Sequence, residues 1–310
     1  KFFTILSRRL VMITGNLRGL FIMLIVITFV GSMLIANDMA LLTFLPLGYF
    51  VLHTTGKERY MAFTYIMQNI AANLGGMLTP FGNPQNLFLY SKFNIPNVEF
   101  MKIMVFPFGV AVLMITICCL IVKKEELIID EEVRFKSPKK VALYLLLFLF
   151  SILIVFRIIP YILGLIIVPF VLMFVDRDAL KSVDYPLLFT FCAFFVFSGN
   201  MSRIDVVRDF FSVILEKNTL LVSALSCQFI SNVPSAVLLS QFTENYPQLL
   251  VGVNIGGVGT LISSLASLIT FREYTKRDPK GTKRYLLMFT GMNFIFLIVL
   301  YIIGAIQFNL

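Results

Sequence analysis

The sequence predicts an all-α polytopic membrane protein that contains two inverted repeats. Three observations support this fold class: an apolar composition, apolar stretches long enough to cross a bilayer, and two copies of one pattern of polar interruptions. Hydrophobic residues make up 58% of the 310 residues and charged residues 14%, whereas soluble proteins carry roughly 25% charged residues. Mean hydropathy is +0.90. This composition excludes a water-soluble enzyme, and we expect the lipid bilayer to surround the chain.

The basic residues of the chain lie mainly in its predicted loops. The net charge is +9, and the basic residues cluster in short segments between apolar stretches, as the positive-inside rule describes. Nucleic acid is therefore not an expected partner. The four cysteines lie inside apolar stretches and the single histidine is His53, so no metal-ligand spacing is present. We expect no cofactor beyond a coupling ion.

The first irregular region contains two polar interruptions. Apolar residues flank Ala36–Asp38 on both sides, and a second interruption rich in Gly, Pro and Asn runs over Asn73–Asn86. The first predicts a re-entrant helical hairpin over residues 18–52. The second predicts a broken transmembrane helix over residues 58–90.

The second irregular region repeats this order. Ser231–Pro234 predicts the tip of a second hairpin over residues 219–242, and Asn254–Thr260 predicts the break of a second helix over residues 246–272. Non-helical backbone is tolerated at membrane depth only where protein or water surrounds it. We therefore expect the two breaks to line a shared cavity at the repeat interface.

The domain organisation follows from the two copies. The N-terminal repeat covers residues 1–122, the loop between the repeats covers 123–140, and the C-terminal repeat covers 141–310, with scaffold helices over 141–175. The C-terminal copy has further spans before its hairpin, and the N-terminal copy has none. Repeat symmetry therefore predicts about three helices, roughly 60 to 70 residues, before residue 1.

The distribution of basic residues predicts the orientation of the chain. Loops 123–140 and 272–284 are predicted to be cytoplasmic, which places 20 Lys and Arg residues on the inner side and five on the outer side. In this orientation the two hairpins enter the membrane from opposite faces, as inverted repeats require. The predicted location is the cytoplasmic (inner) membrane.

Asp38 is the most informative single residue. It follows an apolar arm at the first predicted tip, and a carboxylate at membrane depth is costly enough to indicate a function. That function is the binding of a cation or a proton. The alternative is an N-cap of the second hairpin arm, because Asp accepts hydrogen bonds from free helix-start amides. The two roles are compatible.

Asparagines at the tips and breaks predict the rest of the cation or proton site. Amide oxygens, and carbonyls freed where a helix unwinds, are hard neutral ligands that Na⁺ accepts, so Na⁺ is the one metal ion expected. The predicted site comprises Asn37, Asp38, Asn73, Asn83, Asn232 and Asn254.

The predicted substrate site lies at the two breaks and the second tip. Glycine and proline let the backbone unwind there, and the helices that follow present positive N-terminal ends, which favour an anion. The alternative for the serines is close packing between helices. The predicted site comprises Thr79, Gly82, Asn83, Pro84, Gln85, Asn86, Ser231, Asn232, Val233, Pro234, Gly257, Gly259, Thr260 and Ser263.

These motifs resemble the ion transporter superfamily, which includes arsenite permeases, sodium–proton antiporters and citrate or dicarboxylate transporters. The similar segments are Ala36–Pro46, Asn73–Asn86, Ser231–Pro234 and Asn254–Thr260. The resemblance implies a homodimer in which a scaffold stays fixed and a transport domain crosses the membrane as an elevator. Dicarboxylate members carry Ser-Asn-Thr at each tip. Here both threonines are replaced and Asp38 is gained, which favours proton coupling or a single sodium site.

The sequence and the resemblance together predict a secondary active transporter and not an enzyme. The expected substrate is a small anion or a neutral oxyacid such as arsenite, and the expected coupling ion is H⁺ or Na⁺. The alternative is a Na⁺/H⁺ antiporter that uses Asp38 and carries no anion. A channel is a further alternative, against which the inverted hairpins indicate alternating access.

Overall fold

The computed structural model describes residues 14–126, 158–181 and 185–310, with a few positions between 146 and 154. Most of the predicted loop 123–140, and most of residues 141–157 at the start of the predicted scaffold helices 141–175, lie outside the described residues. The described α-helices are α1 (Leu17–Ile35), α2 (Asn37–Thr54), α3 (Met61–Gly75), α4 (Pro84–Lys92), α5 (Asn97–Leu120), α6 (Tyr161–Val175), α7 (Arg177–Lys181), α8 (Tyr185–Met201), α9 (Asp205–Ile230), α10 (Asn232–Leu239), α11 (Tyr246–Ile255), α12 (Leu265–Arg277) and α13 (Thr282–Gln307). Short 3₁₀ helices lie at Glu58–Tyr60, Gly76–Leu78 and Leu261–Ser263.

Four of the described helices are long and apolar enough to cross a membrane, namely α1, α5, α9 and α13. They contain 19 to 26 residues, and a helix needs about 20 to cross the hydrocarbon core. In α5, Phe100 and Met104 face the protein core, whereas Leu113 and Ile117 are more than half exposed, as expected of a surface in contact with lipid. The chain is a helical multi-pass membrane protein.

The helices α3 and α11 form the centre of a compact unit that contains residues 14–126 and 198–310. Nearly every residue of α3 is buried, including the polar Gln68 and Asn69, and α11 is buried throughout Leu249–Ile255. A helix that is buried on all sides belongs to the core of a large domain. Both helices end at a break, so both breaks begin inside the core.

Two pairs of helices flank this centre. The pair α1 and α2 meets at Ala36, and the pair α9 and α10 meets at Ser231; each pair packs on the core helix that follows it in the chain. Within α9, Asn218 leaves the helical conformation (φ −162°, ψ 86°). Its Oδ1 accepts a hydrogen bond from Leu221 N at 2.8 Å, so Asn218 acts as an N-cap inside the helix.

The segment 272–284 differs from the predicted loop. The helix α12 continues to Arg277 and α13 begins at Thr282, so only residues 278–281 are non-helical. Lys276 and Arg277 occupy the last turn of α12, where cations interact favourably with the helix dipole. The basic residues that indicated a loop therefore also stabilise a helix end. The cytoplasmic location of the segment stays a prediction.

A second compact unit, residues 134–197, contains α6, α7 and most of α8. The helix α6 buries none of its described side chains: Leu165 is 72% exposed and Phe174 is 70% exposed. An apolar helix surface of this extent is suited to lipid or to another protein surface rather than to water.

Candidate functional site

Both flanking helix pairs turn at a residue with an unusual backbone. Ala36 has φ 63° and ψ 150°, and Ser231 has φ 72° and ψ 159°. Such a conformation is costly for a residue with a Cβ atom, so the surrounding structure must hold it in place. In each pair an asparagine follows, and its Oδ1 accepts a hydrogen bond from the next backbone amide, at 2.8 Å for Asn37 and 2.9 Å for Asn232. The two tips present an asparagine in the same way.

The first tip is bonded to the first break. Asn37 N donates to Gly82 O at 3.1 Å, and Asn37 Nδ2 donates to Asn73 Oδ1 at 3.2 Å. Gly82 lies directly against Gly76, and a Cβ atom at Gly82 would collide with the Gly76 backbone. Glycine is required here because only a residue without a side chain permits this close approach. The break thereby offers a backbone carbonyl to the tip.

Four amide side chains from the two breaks meet in the core, and we call them the amide cluster: Asn83, Gln85, Asn86 and Asn254. Asn83 Nδ2 and Gln85 Nε2 each donate to Asn254 Oδ1 at 3.3 Å, and Asn254 Nδ2 donates to Asn86 Oδ1 at 2.6 Å. All four residues are buried. Asn86 also donates to three backbone carbonyls of its own break. Asn254 therefore joins the second break to the first through three hydrogen bonds.

Gly257 lies where the second tip meets both breaks. A Cβ atom at this position would be 3.0 Å from Asn232 Nδ2, 3.2 Å from Asn254 O and 3.6 Å from Asn73 Oδ1. Three asparagines of the predicted cation site thus surround one glycine. A larger side chain at residue 257 would displace the Asn232 amide.

Gln228, which is not part of the predicted site, fixes the second break. Its Nε2 donates to Gly256 O at 2.9 Å, and its Oε1 accepts from Thr260 N at 2.9 Å. Thr260 Oγ1 donates in return to Gln228 O at 3.0 Å. Gly259 adopts φ 140° directly beside the Gln228 amide, a conformation that favours glycine. In the sequence, Gln228 is indicated only by its place three residues before Ser231.

The polar residues around the second tip mostly bond to backbone. Ser263 Oγ donates to Gly257 O at 2.9 Å, and Ser231 Oγ lies 3.4 Å from Ser263 O. Val233 N donates to the tip asparagine, and Pro234 lies in the first turn of α10, where a missing N–H leaves no helix bond unmade. These predicted substrate residues shape the second tip and break.

Two predicted residues of the first break have structural contacts. Thr79 Oγ1 donates to Met33 O of α1 at 2.9 Å, so its hydroxyl joins the break to α1. Pro84 is the first residue of α4, a position where its fixed φ suits a helix start. Neither side chain contacts the amide cluster through a hydrogen bond in the described part of the chain.

Asp38 lies in the first turn of α2, next to Asn37. Its Oδ1 is buried and has no hydrogen-bond partner among the described residues. The N-cap role considered for Asp38 is not formed, because no described backbone amide donates to its carboxylate. Asn83 Oδ1 and Gln85 Oε1 are also buried acceptors without a donor in the described ranges. Such oxygens are costly to bury and are suited to a cation or a donated proton.

A further group of polar residues lies one helical turn before Asn73. Asn73 Nδ2 donates to Asn69 O at 3.1 Å, and Asn69 Nδ2 donates to Ser267 Oγ of α12 at 3.3 Å. The neighbouring Gln68 donates to Phe44 O of α2 at 2.9 Å. Of these residues, only Asn73 belongs to the predicted site. In the sequence, Asn69 and Asn73 are four residues apart, which places both on one face of an apolar helix. This spacing indicates the group.

The region around the amide cluster contains few charged groups. Among the described residues, no group of three or more His, Cys, Asp or Glu is placed to hold a metal ion. The hydrogen bonds of the amide cluster in the described chain involve only amides and backbone carbonyls. An ion or anion bound there would therefore meet neutral oxygens and N–H groups.

A multi-pass helical protein whose interrupted helices meet in a buried polar junction has the architecture of a membrane transporter. The chain belongs to the citrate transporter family, whose model matches residues 1–245. It is 36% identical over 256 residues to an uncharacterized transporter of Methanocaldococcus jannaschii, covering 82% of this chain and 71% of that protein. It is 28% identical over 283 residues to the inner membrane protein YbiR of Escherichia coli, covering 89% and 75%.

These relationships confirm the resemblance to the ion transporter superfamily. They indicate a transport role across a lipid bilayer for a small-molecule substrate, rather than an enzymatic role.

Proposed function

We propose that this protein is a secondary active transporter that moves a small anion or oxyacid across the cytoplasmic membrane, coupled to H⁺ or Na⁺. The observation that carries the proposal is the contact between the two breaks through Asn254. Helices interrupted at the centre of a membrane protein expose carbonyls and amide groups that can replace the hydration shell of an ion. The amide cluster supplies such groups from both breaks.

The coupling ion binds beside the first tip. Asp38 Oδ1, Asn83 Oδ1 and Gln85 Oε1 are buried acceptors without a donor in the described chain, and Asn37 and Asn73 are bonded to each other nearby. A proton would neutralise the Asp38 carboxylate, and a sodium ion would offer a partner to oxygens of this kind. The cation would then stabilise the first tip against the break.

The substrate binds at the second tip and the two helix starts that follow the breaks. The starts of α4, α10 and α12 supply partially positive backbone amides, which favour an anion or a polarised oxyacid. The family name suggests citrate as a carboxylate to test first. The loaded hairpins and breaks then move as an elevator within a homodimer, with loops 123–140 and 272–284 on the cytoplasmic side.

Uptake into proteoliposomes tests this proposal. Citrate, succinate, phosphate and arsenite are offered separately under an imposed Na⁺ or pH gradient, and saturable counterflow separates a carrier from a channel. Asn254→Ala should lower gradient-driven uptake about tenfold or more, because it leaves Gln85 Nε2 and Asn86 Oδ1 without their described partners, at about 1–3 kcal/mol each, and removes one of the two acceptors of Asn83 Nδ2.

Asn293→Ala is the matched control. Asn293 is also buried, and its Nδ2 bonds within its own helix to Phe289 O at 2.9 Å, as Asn254 Nδ2 bonds to Leu250 O at 2.8 Å. It makes no described contact with the amide cluster, so its removal should leave uptake within about twofold of wild type. Equal uptake by the Asn254 variant and wild type would refute the proposed site.

The second candidate function is Na⁺/H⁺ antiport through Asp38 without an anion. The buried and unpartnered Asp38 Oδ1 favours it, because one carboxylate can hold either cation in turn. A sodium gradient that changes the internal pH of vesicles free of every candidate anion would support antiport. A pH change that requires an added anion would support symport.

A further inference from the structure

A cavity of about 630 Å³ opens at one end of the molecule, away from the amide cluster. It lies where α5 ends and α13 begins, beside the 3₁₀ turn that leads into α3. Basic and apolar side chains share its wall. Its wall includes Arg59, Phe63, Lys123, Arg284 and Met288.

The carboxylates of the cavity wall are already occupied. Glu58 Oε1 is 2.5 Å from His53 Nδ1. Asp278 accepts hydrogen bonds from Tyr274 Oη and from Gly281 N, both at 2.9 Å. Both acids keep their negative charge in the cavity wall, but neither forms an ion pair with Lys123 or Arg284.

One of the three cations is also occupied. Arg59 Nη2 pairs with Glu125 Oε1 at 2.6 Å. The hydrogen bond from Lys57 lowers the pKa of the Glu125 carboxyl, and the charge of Arg59 acts in the same direction, so Glu125 stays ionised and holds both basic residues. Lys123 and Arg284 have no carboxylate partner among the described residues. The wall therefore holds three basic and two acidic side chains, and Lys123 and Arg284 are the two cations in it that form no ion pair among the described residues.

The apolar part of the wall continues onto the outer surface of the helices. Phe63 and Met288 line the cavity, and next to them Ile121 is 72% exposed and Leu287 is 69% exposed. Large exposed apolar side chains at the ends of helices long enough to span a membrane are suited to contact with lipid. A molecule in this cavity would thus meet positive charge at one end and hydrocarbon at the other.

We propose that this cavity binds the phosphate-bearing headgroup of an anionic phospholipid. Arg284 and Lys123 contact the phosphate, because a guanidinium and an ammonium are the side chains that pair with phosphate oxygens most strongly. The acyl chains lie along Ile121 and Leu287. Basic pockets between transmembrane helices bind anionic headgroups on the cytoplasmic side, which is the side predicted for loops 123–140 and 272–284.

Lipid retention by the purified full chain tests the proposal. Delipidated protein in detergent is titrated with phosphatidylglycerol or phosphatidylcholine, and bound lipid is counted by native mass spectrometry alongside the thermal midpoint. Phosphatidylglycerol should bind and raise the midpoint, and phosphatidylcholine should not. Arg284→Gln and Lys123→Gln should each weaken phosphatidylglycerol binding by about tenfold, since each removes one charge-assisted contact.

Lys283→Gln is the matched control. Lys283 adjoins Arg284 in the first turn of α13 and is exposed, but it does not line the cavity, so its variant should retain phosphatidylglycerol as wild type does. Lys123 is exposed in a loop, so its variant tests the cavity even where Arg284→Gln impairs folding. Equal retention by wild type and by Lys123→Gln would overturn the proposal.

Inorganic phosphate and glycerol 1-phosphate form the last arm of the experiment. If either raises the midpoint as much as phosphatidylglycerol does at equal concentration, the cavity binds a soluble phosphate and the lipid proposal is wrong. Because the readout is lipid binding, its failure is distinct from a failure of the proposed transport function.

Discussion

The two helix tips of the compact unit share a backbone and differ in chemistry. Ala36 and Ser231 both adopt a left-handed φ, and the asparagine that follows each one accepts a hydrogen bond from the next amide. After the asparagine the first tip places Asp38, and the second places Val233. One turn geometry therefore serves two different side chains.

The two tips also differ in the residues that surround them. The first tip is bonded to the first break through Asn37, which contacts both Gly82 O and Asn73 Oδ1. The second tip packs its asparagine against Gly257. The two tips therefore share a backbone geometry but not the same side-chain chemistry. Only the first tip carries an acid, and there an amide-to-amide hydrogen bond also joins the tip to the break. We infer that the first tip responds to the coupling cation and the second to the substrate.

The largest expected effect tests the acid of the first tip. Asp38→Asn keeps the size of the side chain but cannot carry the negative charge that attracts a cation or gives up a proton. Gradient-driven uptake in proteoliposomes should fall by about a hundredfold, the equivalent of roughly 2.7 kcal/mol, while the thermal midpoint stays near that of wild type.

Asp205→Asn is the control for that change. Asp205 is exposed and pairs with Arg208 at 2.6 Å at the surface, where an ion pair contributes little, so uptake should be unchanged. Undiminished, still gradient-dependent uptake by Asp38→Asn would show that the two tips do not differ in the proposed way.

The second expected effect tests the glycine beside the second tip. In Gly257→Ala the new Cβ atom would stand 3.0 Å from Asn232 Nδ2, so the asparagine must shift by a few tenths of an ångström. Uptake should fall about tenfold, because a small displacement of a binding group has a large effect on transport. The affinity for substrate should change more than that for the coupling ion.

Gly291→Ala is the matched control, because a Cβ atom at Gly291 would meet no other atom within 4 Å. That variant should transport as wild type does or be slightly more stable, since alanine favours a helix over glycine by up to about 1 kcal/mol. A Gly257 variant that loses coupling-ion affinity while keeping substrate affinity would reverse the assignment of the second tip.

Some of this arrangement could be predicted from the sequence, for a physical reason. Runs of Asn, Gly and Pro inside apolar segments interrupt helices, so Ala36–Asp38 and Asn73–Asn86 predict non-helical backbone from the sequence alone. The structure places helix ends at both positions. Their membrane insertion and their inverted orientation stay predictions, since they depend on the bilayer as well as on the chain.

Other features carry a weaker sequence signal. Gln228 and Asn69 are polar residues in largely apolar helices, and their three-dimensional contacts show that one fixes the second break and the other joins α3 to α12. The end of α12 was misjudged because Arg272–Arg284 is basic, and basic residues suit both an inner loop and a helix C-terminus. A basic segment that suits both a loop and a helix end does not by itself distinguish the two.

The smallest expected effect tests the backbone that the tips share. Ala36→Gly should raise the thermal midpoint in detergent by a few degrees: relief of a conformation that costs about 1–3 kcal/mol outweighs the roughly 0.5–1 kcal/mol by which glycine favours the unfolded chain. Ser231→Gly should gain less, since it also removes the Ser231 hydroxyl, which lies 3.4 Å from both Ser263 O and Asn232 Oδ1. Ala111→Gly, at a buried position of the helix α5, should lower the midpoint, because glycine there only weakens the helix. If Ala36→Gly lowers the midpoint as Ala111→Gly does, the left-handed tip is not strained, and the common geometry of the two tips has a cause other than the packing that holds it.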